Sequence, residues 1–447
     1  MGRRRHRLPA EPLNATIEDL SHDGRGVARV DGKAVFIHGA LPGESVRFRL
    51  TGRRKAFDMG QVVEVLEPSA SRTEPRCPNF ERCGGCALQH LAPEAQLKAK
   101  QRVLEENLRR IGGVTPQRWL APLAGGSWGY RRKARLSVRN VPGKGRVLVG
   151  FRERMGRYVC DMTECHTLIP EVGMRLAEIS DCIGGLSIPD EIPQLEVAAG
   201  DDQLVLVVRH LKELTADDRE RLAALGESLD AHIWLQSGGP DTVQPLVAGE
   251  PPASLTFSLD QTNAHGDALR FDFSPLNFVQ VNAEMNRQMV SHTLDALALS
   301  SEHRVLDLFC GLGNFTLPIA AACRSAVGVE GEESLVALAR HNARLNRIEN
   351  AEFFAADLRE DHAATAWGQG SYDRVLLDPP RSGAAELLPL LDALAAPRLV
   401  YVSCHPGSLA RDAGELVGRG YELVSAGIMD MFPHTGHVES IAVFTRS

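Results

Sequence analysis

The sequence predicts a multidomain α/β protein, with a doubly wound parallel sheet at its C-terminal end preceded by a small β-barrel and a β-rich middle. Three observations carry this. From residue 275 onward, short apolar runs alternate with segments of helical period, the pattern of repeated βα units. Residues 13 to 66 instead pack five short alternating runs between Gly24, Gly26, Gly32 and Gly43. That spacing belongs to a small barrel rather than to a helical or parallel-sheet domain. At 447 residues, the chain also exceeds what one core organises, so two or three domains are expected.

Within the C-terminal part, strands are expected at 304–309, 325–330, 351–355, 372–378, 398–403, 421–429 and 438–445, with helices between the first five and a helix at 283–299 before them. The last two runs, joined through MDMFPHTGHVES, read as an antiparallel hairpin. In open parallel sheets, ligands collect at the carboxyl ends of the strands. The conspicuous polar residues fall at such ends: Asp307 and Gly311, Glu330, Asp357, Asp378 with Pro379, Pro380 and Arg381, and Ser403, Cys404, His405 and Pro406.

The stretch RVLDLFCGLGNF, residues 304 to 315, reads as a buried strand that turns through glycines into a helix. About 20 residues later, Glu330 closes the next strand, where it can accept from ribose hydroxyls. Thr316 stands where a dinucleotide fingerprint needs its third glycine. A pyrophosphate therefore fits poorly, and S-adenosylmethionine, an adenosine without phosphates, fits better.

The remaining segments follow in order. Arg47, Arg49, Arg53, Arg54 and Lys55 lie along and after the fourth barrel strand, placed to grip a phosphate backbone. Residues 68 to 78 read as a linker. Cys77, Cys83 and Cys86 follow in CPNFERCGGC; three thiols so close in a cytoplasmic chain point to metal rather than disulfides. Cys160 and Cys165 are candidates for a fourth ligand, and spacing alone leaves zinc and an iron–sulfur cluster both open. Residues 93–111 read as a helix with Leu97, Val103, Leu104, Leu108 and Ile111 on one side. Residues 128–159 read as β, with Arg131, Lys133, Arg135 and Arg139 on one face and Trp128 and Tyr130 available for base stacking.

Charge is unevenly spread. The net charge is −7, yet residues 1–60 hold 12 Lys and Arg against 7 Asp and Glu, and residues 121–160 hold 10 against 1. Two basic blocks on an acidic protein are the footprint of a polyanion-binding surface. No apolar run is long enough to span a membrane, and the opening MGRRRHR lacks the apolar core of a secretory signal. A cytoplasmic location is therefore expected.

Cys404 differs from Cys182, Cys310 and Cys323, which sit in apolar contexts. It follows a strand at the sheet's ligand-binding edge. A thiol there can add to carbon 6 of a uracil ring and make carbon 5 nucleophilic enough to take a methyl group, provided a base then removes the carbon 5 proton. Glu439 is the carboxylate best placed for this, with His434 and His437 as weaker alternatives. The rigid Asp378-Pro379-Pro380 turn suits a flat substrate.

These residues resemble the bacterial uracil-C5 RNA methyltransferases, and among them those acting on 23S ribosomal RNA. The likeness rests on FVQVN (278–282), DLFCGLGNF, DPPR, SCHP and HVES, and on the cysteine spacing. It implies a Rossmann-like S-adenosylmethionine-dependent catalytic domain, an N-terminal OB-like TRAM barrel that binds RNA, and a central iron–sulfur domain. The implied boundaries are 8–70 for the barrel, 71–92 with 128–270 for the central domain, and 93–127 with 271–447 for the catalytic domain. The resemblance makes Cys404 the nucleophile and Glu439 the base, and puts Gln280, Phe309, Asn314, Glu330, Asp357 and Asp378 on the cofactor. Phe278 would lie near the target base, and Cys77, Cys83, Cys86 and Cys165 would hold a [4Fe–4S] cluster. The family often has Asn where this chain has Asp357; either can accept from the adenine amino group. The expected partner is a single-stranded or loop region of 23S ribosomal RNA, bound by a monomer, since transfer RNA relatives are expected to lack both barrel and cluster. The alternatives are methylation of another ribosomal or transfer RNA uridine, and a catalytically inactive cluster-bearing RNA-binding protein.

Overall fold

The computed structural model describes residue 8, residues 11–247 and residues 254–446. The basic MGRRRHR segment lies outside the described residues. Two compact units emerge. One comprises the residues up to Val103 with Glu153–Gly156 and Phe432–His437; the other comprises Leu104–Arg152, Arg157–Met431 and Val438 onward. No helix among the described residues is long and apolar enough to cross a membrane.

The first unit opens with a six-stranded sheet in the spatial order Leu13–Thr16, Ser45–Arg53, Phe57–Glu67, Lys33–His38, Gly26–Val30, Asp19–Leu20. The sixth strand, not expected from the sequence, is the two-residue Asp19–Leu20, too short to show a period. Alternation along Ser45–Arg53 buries Val46, Phe48 and Leu50 in a core with Ile17, Ala28, Val35 and Ile37, and turns Arg47 and Arg49 to solvent. The segment after the sheet is anchored by an ion pair. Glu44 is fully buried, and its carboxylate accepts from Arg72 at 2.5 and 2.8 Å and from the Leu41 and Ser69 amides.

The second unit contains two large sheets and a hairpin. One sheet runs Val243–Pro245, His232–Gln236, Leu204–Arg209, Gln194–Ala199, Lys133–Val141, Arg146–Gly150. The strand expected to continue to residue 159 stops at Gly150, beyond which Arg152↔Val159 and Cys83↔Glu153 form isolated bridges. The hairpin Leu255–Thr262/Ala268–Phe273 is fastened to the helix Glu333–Leu345 by asparagine side chains that imitate a neighbouring strand. Asn342 bonds the Asp272 amide, and Asn346 bonds both the amide and the carbonyl of Arg270.

The eight-stranded sheet has the order Ala351–Ala355, Ser325–Glu330, Arg304–Leu308, Arg374–Leu377, Arg398–Ser403, Glu439–Thr445, Glu422–Met429, Arg118–Trp119. Its first five strands are parallel, and the last expected hairpin is antiparallel. The helices Thr316–Ala322, Glu333–Leu345 and Leu388–Leu394 fill three of the four crossovers. The crossover from Ala355 to Arg374 forms turns instead of the expected helix. Local side chain to backbone bonds compete there: His362 Nε2 meets Asp357 O at 2.7 Å, and Tyr372 donates to Trp367 O at 2.9 Å. The 93–111 helix ends at Asn107 and widens to a π turn over Leu108–Gly112, which leaves Ile111 exposed rather than on the apolar face.

Candidate active site

The strand Arg304–Leu308 ends in a loop whose backbone takes the left-handed region three times, at Phe309 (φ 67°), Gly311 (56°) and Gly313 (93°). Glycine adopts this without cost. A phenylalanine there is uncommon and marks a site that the surroundings hold in place. Val329 O provides the restraint, accepting from the amides of Phe309 and Cys310 at 2.9 and 3.1 Å.

Glu330 closes the mouth of this loop. Its carboxylate accepts from the amides of Gly311 (3.1 Å), Gly331 (2.8 Å) and Glu332 (3.2 Å), which fixes its direction before any ligand arrives. Asn314 forms a reciprocal amide pair with Asn286, 3.0 Å in both directions. Beneath the loop, Asp307 is fully buried and accepts from Thr316 Oγ1 at 2.5 Å. Burial, helped by the charges of Asp378 and Glu330 and opposed by the Thr316 hydrogen bond, pushes its carboxyl up to about 8. Asp357 is clamped by the Arg359 guanidinium at 2.9 and 2.6 Å, which holds it down to about 2. Gln280 is fixed through its backbone, its carbonyl accepting from Arg132 Nε at 3.1 Å. Phe278, two residues earlier, is 72% exposed, on the rim of a cleft of about 730 Å³ that Arg135, Arg209 and Gln236 also line.

Cys404 and Glu439 are brought together by strand register. Arg398–Ser403 pairs antiparallel with Glu439–Thr445, and the last pair is Ser403↔Ser440. Cys404 follows the end of this ladder on one strand and Glu439 precedes Ser440 on the other, near enough for the Glu439 charge to act on the thiol. Ser440 Oγ donates to Ser403 O at 3.1 Å and locks the end of the ladder. His405 then caps the helix Pro406–Gly418, its Nδ1 accepting from the Ser408 amide.

Electrostatics tie four groups into one site. Burial, then the charges of Glu439 and Asp378, push the Cys404 thiol up to about 11 against the opposing effect of Arg381. Glu439 is buried and is raised well above the usual carboxylate range by burial and then by Asp378, again against Arg381. Burial also pushes Asp378 up to about 7. Arg381 is the residue to which sequence reasoning gave no role; its position directly after the Asp-Pro-Pro turn was the available signal. Such an arrangement can move protons, because a carboxyl raised toward neutrality is a better base than an ordinary one. His434 and His437 lie in the first unit. There His434 Nδ1 meets Gln96 Nε2 at 3.2 Å, and His437 packs on Phe432.

The basic strand differs from expectation in detail. Arg135 and Arg139 are exposed, Arg135 pairing with Glu196 at 2.6 Å. Lys133 instead donates to the carbonyls of Pro275 and Asn277 and holds the loop before Phe278. Tyr130 is buried, and Trp128 packs edge-on against His166.

Among the cysteines expected to bind metal, Cys77 and Cys83 are buried and Cys86 is half-buried. Arg154 donates to the carbonyls of Phe80, Cys83 and Cys86, close enough for the two sulfurs to raise its pKa against the effect of burial. The Gly85 amide lies 3.4 Å from Cys83 Sγ. The Arg154 guanidinium thus brings positive charge beside the Cys83 and Cys86 sulfurs, and the Gly85 amide points at one of them. Cys165 is buried, its sulfur 3.3 Å from Thr167 Oγ1. Among the described residues, no group of three or more His, Cys, Asp and Glu side chains is arranged to hold a metal ion.

Comparison with known proteins identifies both ends of the chain. Residues 258–447 match the tRNA (Uracil-5-)-methyltransferase family, and residues 9–66 match the TRAM domain. A 23S rRNA (uracil(1939)-C(5))-methyltransferase RlmD from Alkalilimnicola ehrlichii is 54% identical over all of this chain and 99% of its own length. The Stenotrophomonas maltophilia protein of the same name is 53% identical over the whole of both chains. The Pyrococcus abyssi tRNA (uracil-54, C5)-methyltransferase, solved with S-adenosyl-L-homocysteine, shares the fold with a TM-score of 0.72 at 22% identity. It covers 97% of this chain and 100% of its own. A transfer RNA enzyme thus shares nearly the whole fold, which corrects the expectation that transfer RNA relatives lack the barrel. The chain belongs to the family of S-adenosylmethionine-dependent uracil-C5 RNA methyltransferases, with the 23S rRNA enzymes RlmD among its relatives.

Proposed function

We propose that the chain methylates carbon 5 of one uridine in a loop of 23S ribosomal RNA, at the position equivalent to the uridine 1939 named for its relatives. The observation that carries the mechanism is the register that brings Cys404 near Glu439, within reach of the charges of Asp378 and Arg381. The Cys404 thiolate adds to carbon 6 of the uracil and forms a C–S bond and an enolate. Carbon 5 of that enolate attacks the methyl group of S-adenosylmethionine, and S-adenosylhomocysteine leaves. Glu439 takes the carbon 5 proton, the C–S bond breaks, and the thiolate is expelled. Arg381 stabilises the anions through which the reaction passes. Gln280, Phe309, Asn314, Glu330, Asp357 and Asp378 hold the cofactor, with Glu330 directed at the ribose and Asp357 at the adenine amino group.

The domain division follows the segments 8–70, 71–92 with 128–270, and 93–127 with 271–447. Cys77, Cys83, Cys86 and Cys165 would hold a [4Fe–4S] cluster through thiolate ligation. The chemistry of the Cys83 and Cys86 surroundings supports thiolate ligands. The enzyme works in the cytoplasm, where its RNA substrate is made.

The test is methyl transfer from labelled S-adenosylmethionine to 23S rRNA, followed by mass mapping of the modified nucleotide. The reading predicts a single 5-methyluridine, and no product with Cys404→Ala although the cofactor still binds. Full activity of Cys404→Ala, or label on transfer RNA alone, contradicts it. For the cluster, iron–sulfide visible absorbance that is bleached by dithionite and lost with Cys77→Ser is expected; a colourless, zinc-loaded protein contradicts it.

A further inference from the structure

A second cavity, of about 660 Å³, opens beside the first turn of the helix Ala283–Leu297 and shares no residue with the candidate catalytic or cofactor set. Two deeply buried side chains in its wall carry donors without a hydrogen-bond partner among the described residues. Arg132 is 4% exposed. Its Nε holds Gln280 O, but Nη1 and Nη2 have no hydrogen-bond partner among the described residues, and Nη1 stands 3.7 Å from Asp201 Oδ1, beyond a hydrogen bond. Asn282, 1% exposed, uses Oδ1 to cap the helix through the Met285 amide, and its Nδ2 has no hydrogen-bond partner among the described residues. Buried donors left this way are unusual and call for an acceptor brought from outside.

Charge decides what kind. Carboxylates outnumber guanidinium groups along the wall, with Asp201, Asp202 and Glu171 among them. A phosphate would be repelled. A neutral planar ring is favoured if it gives acceptors to Arg132 and Asn282, gives N–H donors to Asp201 and Asp202, and stacks against Trp128 or Tyr130, which also line the cavity. Guanine meets all three demands: O6 and N7 suit a guanidinium fork, and its other edge carries only N–H donors beside N3.

We propose that this cavity is a second base pocket, which takes an unstacked guanine of the RNA substrate while the target uridine occupies the Cys404 site. The inference rests on the RNA-methylating reading above. Because the Arg132 amide also donates to Val281 O at 2.9 Å, filling the pocket steadies the segment that carries Phe278 and Gln280. A loop lacking guanine at the right distance is then a poor substrate.

The test uses the full chain and a 23S rRNA transcript carrying 6-thioguanosine, with 5-fluorouridine in a parallel transcript to report covalent trapping on Cys404. Irradiation is expected to crosslink 6-thioguanosine to the peptide containing Trp128 and Tyr130 or to residues 199–204, while a 4-thiouridine transcript leaves both unlabelled. Asp202→Asn and Trp128→Ala are expected to raise the KM for the transcript about tenfold and to lower kcat less than this, as losing one base contact would. Trapping on Cys404 with 6-thioguanosine crosslinks only elsewhere, with equal 4-thiouridine labelling, or with an unchanged KM in both variants overturns the pocket alone. Absence of trapping overturns the methylation reading and the pocket with it.

Discussion

Glu439 and Cys404 share one problem: each sits where burial and the Asp378 carboxyl resist its negative charge, and Arg381 relieves both. The two residues act in different steps, so their substitution separates those steps. Glu439→Gln is expected to form the Cys404 adduct and transfer the methyl group but not release product, so a covalent protein–RNA species accumulates on denaturing gels. Cys404→Ala is expected to show no adduct at all. Arg381→Ala removes the cation that opposes burial at both groups, so both pKa values rise. Steps that need either anion then move to higher pH, and the rising limb of the pH–rate profile shifts to alkaline values by an amount that kinetics at several pH values will read. An unshifted limb would show that Arg381 serves the RNA rather than these two groups.

At the scale of elements, two buried carboxyls behave in opposite senses. Asp307 under the cofactor loop has its pKa raised to about 8 from 3.8. The folded state therefore binds its proton more tightly than the unfolded chain, and the stability this adds is complete below about 4 and is lost as pH rises through 8. Asp307→Asn should flatten that decline, measured as the change in urea midpoint between pH 5 and 8. Glu44 is held below 4.5, because Arg72 and the Leu41 and Ser69 amides outweigh burial. Its contribution is present above 4.5 and disappears as pH falls. Arg72→Ala leaves that carboxylate buried and unpaired and should destabilise the first unit by on the order of 3 kcal/mol, read by its denaturation midpoint near pH 7.

The elements that position the site were readable where a period was long enough to show itself. Every strand that carries a candidate residue, from Arg304–Leu308 to Glu439–Thr445, was expected within one or two residues of its place. The crossover after Asp357 misled because Ala363, Ala364 and Ala366 favour a helix, whereas the turn is decided by contacts among Asp357, His362, Trp367 and Tyr372 that have no period. The same limit hid Asp19–Leu20, Arg381 and the burial of Tyr130, each a matter of what lies across space. Lys133 shows it most clearly: its alternation with Arg135 was read correctly, yet its charge is directed to two carbonyls of a loop more than 140 residues away.

At the scale of the whole molecule, the chain joins a TRAM domain, which binds RNA in this reading, to a methyltransferase sheet that offers a thiol and a carboxyl at one strand end. RNA contact should therefore depend on charge spread along the barrel as well as on the site. Replacing Arg47 and Arg49 together by Ala is expected to weaken binding to 23S rRNA fragments and to reduce the salt dependence of that binding, with little change in kcat at saturating RNA. Salt titrations of affinity would show this; an unchanged slope would place the RNA elsewhere.

The central claim is that the Cys404 sulfur bonds to the pyrimidine. Incubation of the protein with S-adenosylmethionine and RNA carrying 5-fluorouridine, whose fluorine cannot be removed as a proton, followed by digestion and mass spectrometry, tests it directly. The expected result is a methylated fluorouridine attached to the peptide that contains Cys404 and absent from Cys404→Ala. Attachment to another cysteine, or turnover of native RNA without any trapped species, would contradict the account.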